Sequence, residues 1–131
     1  MKALCDGIEA LWAGAGGASA RALANGLFYQ RSPSRVEPPF VRYHIISDAL
    51  DWVFGPGERR WVTVQFSVFS KSQERTEAET LLAAVTALYD WAALSVSGWS
   101  CIVVLREAQG EEGAEGEWHC WTRYRVRAQK S

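Results

Sequence analysis

The sequence predicts an α+β fold: a mostly antiparallel sheet of two hairpins with helices packed on one face. The clearest strand pattern is RRWVTVQFSVFS (59–70), in which apolar and polar residues alternate. Residues 70–91 instead repeat apolar side chains at helical spacing. Strand patterns come in pairs before and after this helix, and such an order is typical of a helix crossing a sheet of two hairpins.

The beginning of the chain is predicted to be helical. Residues 3–13 place Leu4, Ile8, Leu11 and Trp12 on one helix face, and the GAGGAS stretch (14–19) ends that helix. Residues 19–25 can form a short second helical turn, and 27–30 (LFYQ) a short strand. Residues 31–39 contain three prolines and are predicted to be an extended loop.

The segment PPFVRYHIISDAL (38–50) predicts the first long strand. Prolines at a strand entrance need no ladder hydrogen bond, and they favour extended geometry in the residue before them. Residues 40–48 then alternate, so that Val41, Tyr43 and Ile45 point one way, and Arg42, His44 and Ile46 the other. FGPGE (54–58) is the predicted turn into the strand 59–70, whose Val62, Val64, Phe66 and Val68 face the core.

The second half predicts a helix and another hairpin. Ser70 and Gln73 form a capping-box pattern, and the helix runs to about Trp91. Strands are expected at 99–107 and 118–128, separated by an acidic, glycine-rich loop at 108–117. The order is therefore α-β-β-β-α-β-β in a single domain, residues 1–131.

Composition excludes several classes of protein. The 131 residues are 48% hydrophobic and carry a formal net charge of −1, which argues against a general nucleic-acid or membrane-surface binder. No secretory signal peptide or membrane-spanning segment is expected. The three cysteines (Cys5, Cys101 and Cys120) form no CxxC pair, which favours buried thiols in a reducing cytoplasm.

The sequence offers no set of residues for catalysis, metal binding or cofactor binding. His44 and His119 are the only histidines, and no serine lies in a GxSxG motif. His119 and Cys120 are neighbours on a strand and so point to opposite faces, which makes a shared zinc ion unfavourable. GAGG lacks the GK[ST] ending of a phosphate-binding loop. We therefore expect no enzyme activity, no metal and no cofactor.

Charged residues supply the candidate functional surface. Arg123, Arg125 and Arg127 alternate on one face of the last strand, together with His119 and Trp121, and Arg42 can join them. Such a face can be a solvated sheet surface, a subunit interface that meets acidic residues, or a DNA contact.

The acidic loop has two possible roles. It contributes four glutamates: Glu111, Glu112, Glu115 and Glu117. Its composition is typical of a mobile, solvated hairpin tip. Alternatively, the loop orders against a partner ring or lines a negatively charged lumen. We predict that the arginine face and these glutamates are the assembly surfaces, because their charges are complementary.

Three segments together resemble a known family. They are PPFVRYHIISD, then RRWVTVQFSVFSKSQERTEAETLLAAVTALYD, and finally TRYRVRA. This combination is similar to the small tail-terminator, or tail-completion, proteins of long-tailed phages and gene transfer agents. The resemblance covers about Leu4 to Arg127 and is most specific over residues 38–89. The turn WVFGPGERR and the acidic loop depart from the family pattern, which leaves the partner contacts open.

The resemblance implies a structural role in a virion. Copies of such a protein form a ring, expected to be a hexamer, on the last ring of the tail tube. The ring ends tail polymerisation and provides the surface for head–tail joining. The implied partners are other copies of the chain, the tail-tube protein and the head connector or stopper protein. DNA only passes through the lumen, no membrane is involved, and assembly takes place in the host cytoplasm.

Two other functions remain open on sequence grounds. A head-completion or stopper connector protein also forms rings and differs in its partners. A stand-alone small binding module would instead be a monomer or dimer with a concave pocket lined by the surplus tryptophans.

Overall fold

The computed structural model describes residues 2–30, 36–51, 57–71, 75–114 and 117–130. Within them lie three α-helices, one 3₁₀ turn at Ala15–Gly17, and five strands. The helices are α1 (Lys2–Ala13), α2 (Ala18–Leu23) and α3 (Arg75–Tyr89). The strands are β1 (Leu27–Tyr29), β2 (Phe40–Asp51), β3 (Arg59–Ser70), β4 (Trp99–Ala114) and β5 (Glu117–Lys130).

The described strands form one sheet in the order β1-β2-β3-β5-β4. β2 with β3 and β4 with β5 are the two predicted antiparallel hairpins, and antiparallel pairing of β3 with β5 joins them. The predicted α+β class is therefore confirmed, but the order of α-helices and strands is α-α-β-β-β-α-β-β, because α2 is a helix of its own. The sheet is not made of hairpins alone, because β1 adds a short parallel strand beside β2, from Leu27 opposite Val41 to Tyr29 opposite Tyr43.

The core lies between the helices and one face of the sheet. Val62, Val64, Phe66 and Val68 of β3 are at most 1% exposed, as the alternation predicts. Apolar side chains of α1 and α3 pack against them: Leu4, Ile8, Trp12, Ala78, Leu81, Val85 and Tyr89. Burial of large apolar side chains is the main stabilising contribution to such a layer.

Two tyrosines fix the helices relative to the sheet. The Tyr89 ring stacks on Phe66 with ring centroids 4.4 Å apart, and its hydroxyl donates to the carbonyl oxygen of Ile8 in α1 at 2.9 Å. The Tyr124 hydroxyl of β5 donates to Asp90, just after α3, at 2.6 Å. Each hydroxyl therefore joins two different elements of the core layer.

The amino-terminal connections follow the predicted signals. GAGGAS ends α1, forms the 3₁₀ turn and leads into α2. The guanidinium of Arg21 donates to the carbonyl oxygens of Trp12 and Gly14, which helix termini leave without intrahelical partners. Asn25 fixes the segment that leads into β2. Its backbone N–H donates to the carbonyl oxygen of Pro39, and its side-chain amide donates to the carbonyl oxygen of Glu37. The Pro38–Pro39 peptide bond is cis.

Several predicted boundaries were wrong, and one loop was wrong in kind. Residues 108–114 are not a loop, because β4 continues to Ala114 and β5 begins at Glu117. Cross-strand pairing along this hairpin overrides the loop-like composition, since every paired residue adds to the ladder. β2 also runs on to Asp51.

Some predictions fall outside the described residues. These are most of the loop 31–39, most of the turn 54–58, Gln73 of the capping box, and Glu115. Ser70 is the last residue of β3, and its hydroxyl donates to Glu77 of α3 at 2.7 Å. No helix in the described part of the chain is both long and apolar enough to span a bilayer.

Candidate assembly surface

The sheet face opposite the helices is called the outer face below. Its position follows from strand alternation: Val41, Val64 and Tyr124 point into the core, so the residues on either side of each point away. The outer face contains Arg42 and His44 of β2, Trp61, Gln65, Ser67 and Phe69 of β3, and His119, Trp121, Arg123, Arg125 and Arg127 of β5. The four predicted arginines therefore share one face.

Aromatic rings support the four predicted arginines. The guanidinium carbon of Arg42 lies 5.0 Å from the Phe69 ring centroid, and that of Arg123 lies 5.1 Å from Trp121. Arg125 and Arg127 lie on either side of Val126 in the sequence, and both lie over the Trp61 ring, at 5.2 and 5.5 Å from its centroid. A cation–π contact of this kind contributes about 0.5–1 kcal/mol at an exposed site.

Polar contacts hold part of this layer in place. Arg123 donates to the Gln65 side-chain oxygen at 3.0 Å, and Gln65 in turn donates to the Ser67 hydroxyl at 3.2 Å. Ser67 is fully buried although it points away from the described helices. The middle of the outer face is therefore shielded from solvent. At the β4 side, Arg125 lies 3.9 Å from the carboxylate of Glu107.

A second aromatic cluster lies at the end of the outer face near the Pro-Pro pair. The Phe69 ring stacks on His119 with centroids 4.4 Å apart and planes 8° apart, and on Phe40 at 5.0 Å. His44 lies further along β2, half-buried, and burial lowers its pKa, with the charges of Arg42 and Arg123 acting in the same direction. The outer face therefore disfavours an additional positive charge.

This arrangement is suited to binding acidic groups. A guanidinium that lies over an aromatic ring can direct its in-plane N–H groups at carboxylate or phosphate oxygens. The rings also restrict the guanidinium groups before any partner binds, which reduces the entropy lost on binding. The surface can accept an acidic segment of another protein.

Of the predicted glutamates, the structure describes the side chain of Glu111 alone. Glu111 forms an ion pair with Arg75 of α3 at 3.0 Å, so it faces the helix side of the sheet. Glu112 and Glu117 belong to β4 and β5, and Glu115 lies outside the described residues. Whether the arginines or the glutamates contact a partner stays a prediction.

Sequence reasoning missed the aromatic half of the surface. Gly110 of β4 lies opposite Trp121, and a Cβ atom added at Gly110 would come within 2.6 Å of the Trp121 ring. The indole leaves no room for a side chain at this position. Gly110 is therefore a packing position within the strand and does not mark a loop. The sequence signal that was available is a glycine in one strand of the predicted hairpin that can lie opposite a tryptophan in the other strand.

Besides the outer face, the described residues include a histidine–cysteine neighbour pair and two cavities. No three potential metal ligands come together within the described residues. His119 lies on the outer face, whereas Cys120 is buried in the core, where burial raises its thiol pKa. A groove of about 430 Å³ between α3 and β4 is lined by Leu82, Thr86, Arg106 and Cys120, among others. A second cavity of about 340 Å³ lies beside Cys5 and Tyr43.

Comparison with known proteins gives a match at the level of fold. No family model matches the chain, and no curated protein matches its sequence. Its structure is similar to a chain in the virion of a native gene transfer agent particle, with a TM-score of 0.72 and 16% sequence identity. The match covers 86% of this chain and 85% of that chain. The two chains share a fold over nearly their whole lengths.

Proposed function

We propose that this chain is a structural virion protein that forms a ring at the head-proximal end of a tail tube. The ring, expected to be a hexamer, ends tail polymerisation and provides the surface on which the head connector docks. The observation that carries the proposal is the fold match to a chain of a gene transfer agent virion over 86% of the residues. The sequence resemblance to tail-terminator proteins supports the same conclusion independently.

The architecture suits such a role. A ring protein needs a rigid body with partner surfaces on it, and the sheet with its helix layer supplies the body. The outer face supplies a pre-arranged cationic surface for an acidic partner, either a neighbouring copy, the tail-tube protein or the head connector. DNA passes through the lumen, and the role needs no catalysis and no cofactor.

The pockets do not favour a stand-alone binding module. That hypothesis expects a concave site lined by tryptophans, and no tryptophan is among the described residues that line either of the two cavities. A head-completion or stopper connector remains the nearer alternative, because it is also a ring-forming virion protein.

The proposal is tested by native mass spectrometry over a wide range of protein concentrations, followed by a tail-tube capping assay. Closed rings that stop the growth of tail-tube polymers are the expected result. Rings that bind the head connector and leave tube growth unchanged would favour the stopper alternative. A tight dimer that does neither would overturn the proposal.

Charge reversal tests the predicted arginine surface. The triple variant Arg123→Glu, Arg125→Glu and Arg127→Glu is expected to weaken assembly or partner docking, because three cations on the outer face become anions. The core is untouched, so circular dichroism should show a folded monomer. A control with Lys2→Glu, on the exposed side of α1, should assemble normally. Normal assembly of the triple variant would remove these arginines from the interface.

A further inference from the structure

Exposed apolar side chains concentrate at the two opposite edges of the sheet. Tyr29 on β1, and Ile46 and Leu50 on β2, are 39%, 44% and 68% exposed. On the other side, Val103 on β4 is 38% exposed, and Trp91 beside β4 is 77% exposed. Exposed edges normally carry charges or prolines that prevent association. Large apolar side chains at both edges favour association.

The edge on the β2 side is longer than β1. β1 pairs only with residues 41–43, so the remainder of β2, from His44 to Asp51, is itself an edge of the described sheet. Ile46 and Leu50 lie in this open part. On the opposite side, β4 is the last strand of the described sheet.

Trp91 is the most exposed of these side chains and has an unfavourable backbone. Its φ is +56°, a left-handed conformation that costs about 1–2 kcal/mol for a residue with a side chain. Glycine usually occupies such a position after a helix. The Trp91 N–H donates to the carbonyl oxygen of Val104 at 3.3 Å, which fixes the residue beside the β4 edge. A strained and exposed tryptophan is best explained by a contact with a partner.

The two apolar edges lie at the same height of the sheet. Across the strands, Ala49 is in register with Trp61, Trp61 with Arg127, and Arg127 with Val103. Three successive antiparallel pairings make β4 run opposite to β2. A second copy placed beside the first by rotation about an axis along the strands therefore continues the antiparallel order.

Charged side chains near the two edges are paired within the chain. Asp48 of β2 forms an ion pair with Arg60 at 2.9 Å, and Arg106 of β4 lies 3.4 Å from Asp90. The match between the edges therefore rests on their exposed apolar side chains, which lie at the same height on opposite sides of the sheet.

We propose that copies of this chain associate head to tail, with the open β2 edge of one copy against the β4 edge of the next and Trp91 packed on Ile46 and Leu50. Different edges meet, so the contact is heterologous and can close into a ring. This inference rests on the proposed function for ring closure and adds the identity of the contacting edges. It differs from the charge-based prediction, which places assembly on the outer face.

Mixed cysteine variants test the contact directly. One preparation carries Leu50→Cys and the other Trp91→Cys, both in a Cys101→Ser background because Cys101 lies on β4, and both are oxidised alone and together. A disulfide-linked dimer is expected only in the mixture, because the two positions meet between copies and neither meets itself. The matched control is Leu50→Cys mixed with Ala87→Cys, an exposed position on α3, which should give no dimer. Dimers of either variant alone, or none in the mixture, would overturn the proposal.

Trp91→Gly separates folding from association. Glycine relieves the left-handed backbone, so thermal stability of the monomer should be unchanged or higher. Assembly measured by native mass spectrometry should weaken by about tenfold or more, as for loss of a central tryptophan in an interface. Leu23→Ala, which removes an exposed apolar side chain outside both edge strands, should assemble normally. Normal assembly of Trp91→Gly would overturn the role of Trp91.

The two proposals can fail separately. A protein that caps tail tubes but gives no mixed disulfide keeps the proposed function and loses this contact. A protein that gives the mixed disulfide but caps no tube keeps the contact and loses the proposed function.

Discussion

The two faces of the sheet are built from the same strands but are covered in different ways. On the helix side, valines and aromatic rings are almost completely buried beneath α1 and α3. On the outer face, arginines lie over Trp61, Phe69 and Trp121, so long polar side chains take the place of a second helix layer. Arginine can do this because its guanidinium stacks on a ring while its edge remains hydrated.

The comparison separates stability from function. The sheet face beneath α1 and α3 gains most from burial, and the helices cover it. The outer face gains less from each contact, but it presents cations that a partner can meet. We therefore expect core substitutions to change the free energy of unfolding strongly, and outer-face substitutions to change it weakly.

Two phenylalanines of β3 give the largest expected difference. Phe66 is 1% exposed between Tyr43, Tyr89 and Tyr124, and Phe66→Ala should cost about 3–5 kcal/mol in the free energy of unfolding. Phe69 lies half-buried on the outer face, and Phe69→Ala should cost clearly less because the cavity it leaves is open to solvent. Urea denaturation of both variants measures the difference. Equal costs would mean that the outer face is as well packed as the core.

Gly110→Ala tests how closely the outer face is packed. The new methyl group would meet the Trp121 ring at 2.6 Å, so the indole must move and its contact with Arg123 must change. Overpacking of this kind costs about 1–3 kcal/mol. Gly16→Ala is the matched control, because its nearest neighbour would be a Leu88 methyl at 3.6 Å, an ordinary contact. A stability equal to that of the control would show that Trp121 is loosely held.

The Tyr89 hydroxyl tests a polar contact inside the core. Tyr89→Phe removes the 2.9 Å hydrogen bond to Ile8 and leaves the ring stacked on Phe66. The expected loss is about 1 kcal/mol, the usual net contribution of one intramolecular hydrogen bond. Tyr29→Phe, on the exposed edge strand, is the control and should change thermal stability little. No loss for Tyr89→Phe would show that the stacked ring alone holds α3 on the sheet.

The alternation of apolar and polar residues correctly predicted which side chains of the long strands face the core. The buried valines of β3 and the arginines of β5 lie on the predicted faces, because a period of two allows only two choices of face. The extension of the β4–β5 hairpin was missed, since glycines and glutamates have low strand propensity and only pairing with β5 makes them a strand. The parallel position of β1 depends on Asn25 and Gly26 contacting the entrance of β2, and three apolar residues cannot indicate that.

The sequence pattern also did not predict that aromatic rings lie beneath the arginines. Arg42 and Phe69 are distant in the chain and meet only through the β2–β3 register. The importance of Trp91 was missed for a different reason. Its position after α3 looked like an ordinary helix end, and only the left-handed backbone and the exposed ring distinguish it.

His44 gives the smallest expected effect and the one that depends on pH. Its pKa in the fold lies below the ordinary 6.5, first because of burial and second because of Arg42 and Arg123. The unfolded chain therefore takes up a proton more readily than the fold, and stability must fall as the pH drops from 6.5 towards the folded pKa. His44→Gln should remove this part of the pH dependence, as measured by thermal unfolding at several pH values. At a pH well above 6.5 the imidazole is neutral in both the folded and the unfolded state. The stability difference between variant and parent at that pH is therefore the control, because it contains no contribution from protonation of His44. If the variant keeps the full slope, the acid sensitivity has another origin and the outer face does not disfavour an additional cation at His44.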